Sequence, residues 1–370
     1  MHQKTFSSSS PLHFVFPLSC HAAMVALVAF SLSAAVPTVF AQTDSTLKPY
    51  VARPVDPPPK DASYLLSDGT IYVVGNDLVE PLFAKFTEIF MQTHPNIKIK
   101  MVMPGSPPAI AGITSGKSAF APMGREAINQ DLDGFAARYG YMPLDFLIGY
   151  DQSPNPDIYP PGKFPDALWI NVKNPLPKLT MQQAARILTT GGGAADITHW
   201  SQLGLTGEWA QREIHVYLPS QRDAAFLFSN GYKFGGYPWT RRAEWLPRSP
   251  DVMNAVAQDP FGIGFVGYWP PDSGWDRQLE LASQAKLVPL AESEGARFSH
   301  GGIGDVYPLT GGIRIYVNRA PGKPLESWVK EYIRLALSKD GQDIIASMMK
   351  DQGYIPLDPN DVAKELAKLK

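Results

Sequence analysis

Apolar residues in the folded region alternate between short unbroken runs and positions spaced three or four residues apart. Residues 70–74 form a β-branched run typical of a buried strand, and apolar residues between Leu82 and Phe90 recur at helical spacing. The same criteria predict further strands at 97–103, 119–123, 146–148, 168–172, 214–218, 263–268 and 313–317. Strands that alternate with helices predict an α/β fold with a mostly parallel, doubly wound sheet.

Residues with capping preferences mark where several helices begin. Thr180 and Gln183 have the spacing of a capping box for a helix at 181–188. A serine followed by proline opens the helices predicted to begin near Ser106 and Ser249. Two more helices are predicted at 325–337 and 341–349.

The first 41 residues have the pattern of a secretory signal peptide. An apolar run of about 15 residues is shorter than the roughly 20 that span a bilayer, and it is followed by a small-residue cleavage pattern ending at Ala41. An uncleaved anchor is the alternative. Residues 42–65 contain a proline-rich stretch, which predicts an extended linker. We therefore expect a periplasmic protein.

Composition narrows the possible functions. The formal net charge is -2 and charged residues make up 18% of the chain, so no large basic surface for nucleic acid is expected. Cys20, the only cysteine, precedes the expected cleavage site, so the exported protein would have no disulfide and no thiolate ligand. We expect no metal site and no cofactor.

Several short segments have a recognisable order and spacing, at 74–78, 83–86, 104–106, 120–126, 174–183, 262–268 and 307–318. Together they resemble the phosphate-type substrate-binding proteins of ABC importers, which belong to the periplasmic-binding-protein (PBP) superfamily. The resemblance implies two doubly wound α/β lobes joined by two hinge crossings, expected near 165–172 and 262–268. Lobe one would comprise 66–165 and 266–370, and lobe two 166–265, with a ligand captured between them by hinge closure.

Loops that follow strands and precede helices are the candidate ligand-binding elements. Helix N-termini offer free N–H groups and a partial positive charge, which suit a small oxyanion, and such loops gather at the crevice of open α/β sheets. The loops at 75–78, 105–106 and 220–223 qualify, and a fourth loop at 123–126 follows a strand end. The predicted ligand-binding residues are Asn76, Asp77, Leu78, Ser106, Gly124, Arg125, Ser220, Arg222 and Asp223.

The resemblance assigns different roles to these residues. Ser106 matches a serine that typically donates its hydroxyl and backbone N–H to the anion. At Asp77 an ionised carboxylate would repel an anion, so backbone donation is expected there. Gly124 stands where phosphate binders often keep an aspartate that accepts the ligand's own proton, and Arg125 beside it is suited to charge-assisted hydrogen bonds.

The second lobe departs most from the resembling family, which commonly has an arginine and a Ser-Gly-Thr-like loop before its helix. Either Arg222 replaces that arginine from a shifted position, or this lobe no longer holds the anion. Structural roles also compete for the other residues. Ser106 and Ser220 have the preferences of helix caps, and Arg125 with Glu126 has the pattern of a surface ion pair.

Other functions receive less support. A secreted hydrolase would need a catalytic motif, and neither a Gly-x-Ser-x-Gly elbow nor a His-Glu-x-x-His helix occurs. The glycines at 262, 264 and 267 match a dinucleotide-binding pattern, but they lie in a predicted strand, which favours a hinge strand instead. The expected partners are a small inorganic anion and an ABC permease in the inner membrane. An anion-sensing or partner-binding module without transport is the alternative.

Overall fold

The computed structural model describes residues 47–151, 166–220, 231–266, 283–299 and 305–370. The predicted signal peptide therefore lies outside the described residues. The strands are β1 Ile71–Val74, β2 Ile99–Val102, β3 Ala121–Met123, β4 Leu144–Asp151, β5 Ala167–Asn171, β6 Leu179–Thr180, β7 His215–Pro219, β8 Glu244–Leu246, β9 Gly262–Val266, β10 Ala285–Leu287, β11 Leu290–Ala291, β12 Gly311–Val317 and β13 Ile355–Pro356. The α-helices are α1 Glu80–Thr93, α2 Ser106–Ser115, α3 Asn129–Tyr139, α4 Met181–Leu188, α5 Ser249–Gln258, α6 Ser327–Ala336, α7 Lys339–Ser347, α8 Met349–Gln352 and α9 Pro359–Ala367.

The beginning of α4 follows the capping chemistry expected from the sequence. In α4 the predicted capping box is confirmed, because Thr180 Oγ1 accepts the Gln183 N–H at 3.2 Å and Gln183 Oε1 accepts the Thr180 N–H at 2.9 Å. In α1 the residues Leu82, Phe83 and Phe86 are buried on one face, which is the apolar stripe that the spacing predicts.

Both parallel and antiparallel ladders occur among the described strands. One sheet has the order β10-β5-β9-β7-β8, and another has the order β13-β4-β12-β3. Strands β7, β8 and β9 pair in parallel, as do β1 and β2, whereas β12 is antiparallel to both β3 and β4. The α/β class is confirmed, but the expectation of a mostly parallel sheet is wrong, because β5 and β12 enter their sheets in the opposite direction to their neighbours.

Two large hydrophobic cores divide the described chain. The first core consists of buried residues between Ile71 and Ile148 together with those between Ile313 and Leu369. The second consists of buried residues between Ala167 and Leu309. A smaller cluster, with Ile110 and Phe135 at its centre, joins α2 to α3. In the described ranges the chain leaves the first core after Ile148 and has returned to it by Ile313, and each core packs its own sheet and helices.

The return to the first core comes later than the expected crossing at 262–268. Strand β9 lies in the five-stranded sheet, and buried residues from Ala285 to Leu309 still pack in the second core. The last return therefore lies between Leu309 and Ile313. Gly264 has another role than a hinge, because a Cβ there would lie 2.7 Å from Val256 Cγ2 and 2.8 Å from Val252 Cγ1. This glycine lets α5 pack closely on β9.

Residues 47–65, which we call the docked segment, pack against the first core. The main chain of this segment forms turns between residues 59 and 65, and it hydrogen-bonds to helices of the core. The Lys339 N–H donates to Lys48 O at 2.9 Å, and the Arg53 N–H donates to Glu331 Oε1 at 3.1 Å. Apolar side chains of the segment pack on the first core, namely Leu47, Tyr50, Val55, Tyr64 and Leu65.

In the ranges that the structure describes, no helix is long and apolar enough to cross a bilayer.

Candidate functional site

Four chain segments meet around Gly124. Strand β3 ends one residue before it, and the loop after β1 joins this strand end through an Asn76 N–H bond to Pro122 O at 2.9 Å. The last residue of β4, Asp151, is the ladder partner of Gly311 at the start of β12. A Cβ on Gly311 would lie 2.9 Å from Gly124 O. We call this the Gly124 site, formed by Asn76, Ser106, Gly124, Asp151, Thr310 and Gly311.

Gly124 leaves room for two acceptor oxygen atoms next to its own Cα. A Cβ at this position would lie 2.9 Å from Asn76 Oδ1 and 3.2 Å from Asp151 Oδ2. Any larger residue would therefore displace one of these side chains. The glycine leaves room for the acceptor oxygens of Asn76 and Asp151 on the same side of the strand end.

Asn76 is the central polar residue of the site, and it is only 3% exposed. Its Nδ2 donates to Asp77 Oδ1 and to Ser106 Oγ, both at 2.9 Å. Its Oδ1 is buried and has no hydrogen-bond partner among the described residues. Buried polar atoms are nearly always hydrogen-bonded, so this oxygen is suited to accept a hydrogen bond from a bound molecule.

Ser106 lies in the site, but it does not cap α2. The N-cap is Gly105, with φ +128°, and Ser106 is the first helical residue. Because Ser106 Oγ accepts from Asn76, its own O–H can donate elsewhere. Pro107 and Pro108 follow and have no N–H, so the first turn of α2 offers fewer backbone donors than the sequence pattern alone suggested.

The residues after Asn76 form a 3₁₀ turn at Asp77–Val79. The Asp77 carboxylate is exposed and accepts a hydrogen bond from Asn76, and the donation expected from the backbone of this turn stays a prediction. The Tyr354 hydroxyl donates to Leu78 O and thereby fixes the turn to the C-terminal part of the first core.

Asp151 is a site residue that sequence reasoning missed. Its side chain is buried, at 6% exposure, although it lies at the beginning of a proline-rich stretch that has the composition of a surface loop. Burial, and after it the Asp151 charge, raises the pKa of Tyr354 above its ordinary value. The available signal was its position at the end of a buried strand, where ligand-binding residues of open sheets gather.

Arg125 is directed toward α3. Its Nη1 lies 3.3 Å from Asp131 Oδ2 and donates to Glu126 O at 2.7 Å. Asp131 also accepts the Ile128 N–H at the beginning of α3. The guanidinium is 22% exposed and stabilises the start of that helix, so the structure does not place it among the polar atoms of the Gly124 site.

The predicted second-lobe residues are only partly described. Ser220 follows β7, and its N–H continues the ladder to β8 by donating to Leu246 O at 2.6 Å. Arg222 and Asp223 lie outside the described residues. Among the residues that are described, no group of three or more His, Cys, Asp or Glu side chains is arranged to hold a metal ion.

Sequence comparison finds curated relatives of similar length. A protein named phosphate-binding protein PstS, from two strains of Pseudomonas aeruginosa, is 29% identical over 309 residues, which cover 81% of this chain and 86% of that protein.

Solved structures also align over most of the chain. An ABC-type phosphate transport receptor from Vibrio cholerae aligns over 78% of this chain and 100% of its own, with 17% identity and a TM-score of 0.47. PstS from Borrelia burgdorferi aligns over 78% of this chain and 98% of its own, with 14% identity and a TM-score of 0.47.

A family model described as a PBP superfamily domain matches residues 66–340. This match includes the second core, the part of the first core up to residue 340, and every residue of the Gly124 site. The chain therefore belongs to the PBP superfamily.

Proposed function

We propose that this protein is an extracytoplasmic receptor that captures phosphate at the Gly124 site and delivers it to an ABC permease. The expected signal peptide would place it in the periplasm. The name of the Pseudomonas aeruginosa relative supports phosphate as the ligand. The two cores would be the centres of two lobes, with the return crossing between Leu309 and Ile313.

The buried acceptors beside Gly124 are the observation that carries the choice of ligand. The Ser106 hydroxyl and the backbone of the 77–79 turn can donate to an anion, whereas Asn76 Oδ1 and the Asp151 carboxylate can only accept. Phosphate retains at least one proton at neutral pH and can donate it to such an acceptor. Sulfate retains none, and its charge would be repelled by Asp151 without compensation.

The buried acceptor oxygens of Asn76 and Asp151 would therefore distinguish phosphate from sulfate. A site that is built to accept a ligand O–H strongly rejects an analogue without that proton, because its own buried acceptor is then left unpaired. In this proposal the residues of the Gly124 site bind phosphate by placing hydrogen-bond donors and acceptors around it, and the ligand is not chemically changed.

The test is isothermal titration calorimetry with the protein refolded to remove carried ligand, titrated first with phosphate and then with sulfate. We expect one-to-one phosphate binding and a much weaker response to sulfate. In Asp151→Asn the phosphate Kd should rise roughly tenfold to hundredfold, since a hydrogen bond to a charged group contributes about 1.5–3 kcal/mol. The preference over sulfate should fall as well, because an amide can also donate.

Asp133→Asn is the matched control, because Asp133 is an exposed carboxylate on α3 and its replacement should leave both titrations unchanged. A wild-type protein that binds no phosphate contradicts the proposal. If Asp151→Asn binds phosphate as tightly as the wild type, phosphate remains the proposed ligand, but the proposed role of the Asp151 carboxylate is contradicted.

A further inference from the structure

A lysine of the second core reaches the chain segment that borders the Gly124 site. Lys233 lies in the short 3₁₀ helix Tyr232–Phe234, which is fixed in the second core by the buried ring of Phe234 packed against Trp239 and Phe265. The Lys233 Nζ donates to Pro308 O at 3.3 Å and to Thr310 O at 2.9 Å. Its ammonium group therefore lies where the chain passes back to the first core.

Lys233 carries a charge that no acidic group neutralises in the described part of the chain. Its side chain is half-buried, and the two hydrogen bonds go to main-chain carbonyls. Partial burial of an ammonium group is costly unless a negative charge compensates it. An anion bound nearby would supply that charge, and the third N–H of the ammonium group remains to donate to it.

Thr310 adds a hydroxyl at the same place. The residue is 5% exposed, and its Oγ1 is buried without a hydrogen-bond partner among the described residues. The next residue, Gly311, is the ladder partner of Asp151 and touches Gly124 O. The unpaired hydroxyl and the lysine ammonium thus lie on the strand start that forms one side of the Gly124 site.

We propose that Lys233 and Thr310 complete the anion site, with Lys233 supplying positive charge from the second core and Thr310 donating its hydroxyl. This inference rests on the proposed capture of phosphate. It gives the second core a part in binding that does not depend on Arg222. In this proposal the ligand contacts that complement those of Asn76 and Ser106 come from the return crossing and the lysine bonded to it, and not from a helix N-terminus.

The first test compares Lys233→Met with Lys173→Met in calorimetric titrations with inorganic phosphate. Methionine keeps the length of the side chain and removes its charge, and Lys173 is an exposed lysine of the same core. Loss of one charge-assisted contact should raise the phosphate Kd about tenfold to hundredfold in Lys233→Met. Its affinity should also depend less on salt than that of the wild type, whereas Lys173→Met should match the wild type.

The second test uses Thr310→Val, which replaces the unpaired hydroxyl with a methyl group of similar shape. A hydroxyl that serves only the fold would lower the Tm of the ligand-free protein when removed. A hydroxyl reserved for a ligand should leave that Tm unchanged or raise it, since an unpaired buried group is then lost, while the phosphate Kd rises about threefold to tenfold.

The possible results separate this inference from the proposed function. Wild-type affinity in both Lys233→Met and Thr310→Val would overturn the inference and leave phosphate capture intact. A wild-type protein that binds no phosphate would overturn both. Weakened binding in the two variants, with unchanged behaviour of Lys173→Met, would support it.

Discussion

At the scale of single residues, Gly124 and Asp151 act as a pair. An aspartate at position 124, as the family resemblance would favour, would place its carboxylate against that of Asp151, because a Cβ there already lies 3.2 Å from Asp151 Oδ2. Two carboxylates so close cannot both ionise readily. In the proposed site the end of β4 would supply the acceptor, and the absence of a side chain at position 124 leaves room for Asp151.

We expect Gly124→Ala to lower the free energy of unfolding by about 1–3 kcal/mol, since the added methyl group overpacks Asn76 and Asp151. Phosphate affinity should fall in the same variant, because these two side chains must shift. Urea unfolding followed by circular dichroism measures the stability.

Gly134→Ala provides a control of opposite sign. Gly134 lies within α3, and a Cβ there would meet no atom within 4 Å. Alanine should therefore raise the stability by about 0.5–1 kcal/mol through its better helix propensity. Equal effects of the two substitutions would show that a side chain at position 124 does not crowd Asn76 and Asp151.

At the scale of elements, the proline-rich N-terminal stretch is bonded to the first core as the docked segment and is more than a linker. Its backbone satisfies groups that the helices of the first core leave open. The Asp56 N–H donates to Ser327 Oγ at 2.8 Å at the start of α6. The Arg53 carbonyl lies 2.9 Å from His94 Nε2, and the Arg53 N–H reaches Glu331, a carboxylate that is only 3% exposed. The segment is thus an integral part of the first core.

Removing the docked segment should destabilise the protein. A chain that begins at residue 67 loses the donor to the buried Glu331 and exposes apolar surface of the first core. We expect its Tm to fall by roughly 5–15 °C, since each kcal/mol corresponds to a few degrees in a domain of this size. Differential scanning calorimetry compares it with a chain that begins at residue 47, and equal Tm values would show that the segment is only a tether.

Local patterns predicted the elements well where one helix or strand carries its own signal. The limits of α4 match the prediction at residues 181–188, because Thr180 and Gln183 are adjacent in sequence to the helix that they cap. Helix α3 was missed, since Phe135 is its only fully buried residue and its apolar stripe is too narrow to recognise.

The site was predicted only in part, for a related reason. Asn76 and Ser106 follow strands that are close in sequence, and the structure brings them into hydrogen-bond contact. Asp151 reaches Gly124 through the pairing of β4 with β12, which joins segments far apart in the chain. No local pattern specifies that register, so Thr310 could not be assigned from the sequence, and for Asp151 the only signal was its position at the end of a buried strand.

At the scale of the whole molecule, buried tyrosines make the stability sensitive to high pH. Burial raises the pKa of Tyr307, Tyr332 and Tyr354 above the ordinary value, and it raises that of Tyr316 to about 12. Below the unfolded pKa of about 10 these phenols are protonated in both states and do not affect folding. Above it only the unfolded chain ionises, so the folded state loses stability as pH rises.

We expect the free energy of unfolding to fall above pH 10 by about 1.4 kcal/mol per pH unit for each such tyrosine. Urea titrations at a series of alkaline pH values measure this slope, and the ultraviolet absorbance of tyrosinate reports ionisation in the same samples. Ionisation of the full set of tyrosines near pH 10 without any loss of stability would contradict the expectation.

The first core draws its residues from both ends of the chain, and this has a consequence for the order of folding. Its strands β4 and β12 pair across the whole length of the second core, so closing that ladder fixes a very long loop. Such distant pairing is slow to form, and it cannot begin until the C-terminal strands are available. We therefore expect the second core to form early and the first core last. In a chain that is exported before it folds, the Gly124 site would be completed only after β12 has emerged on the far side of the membrane.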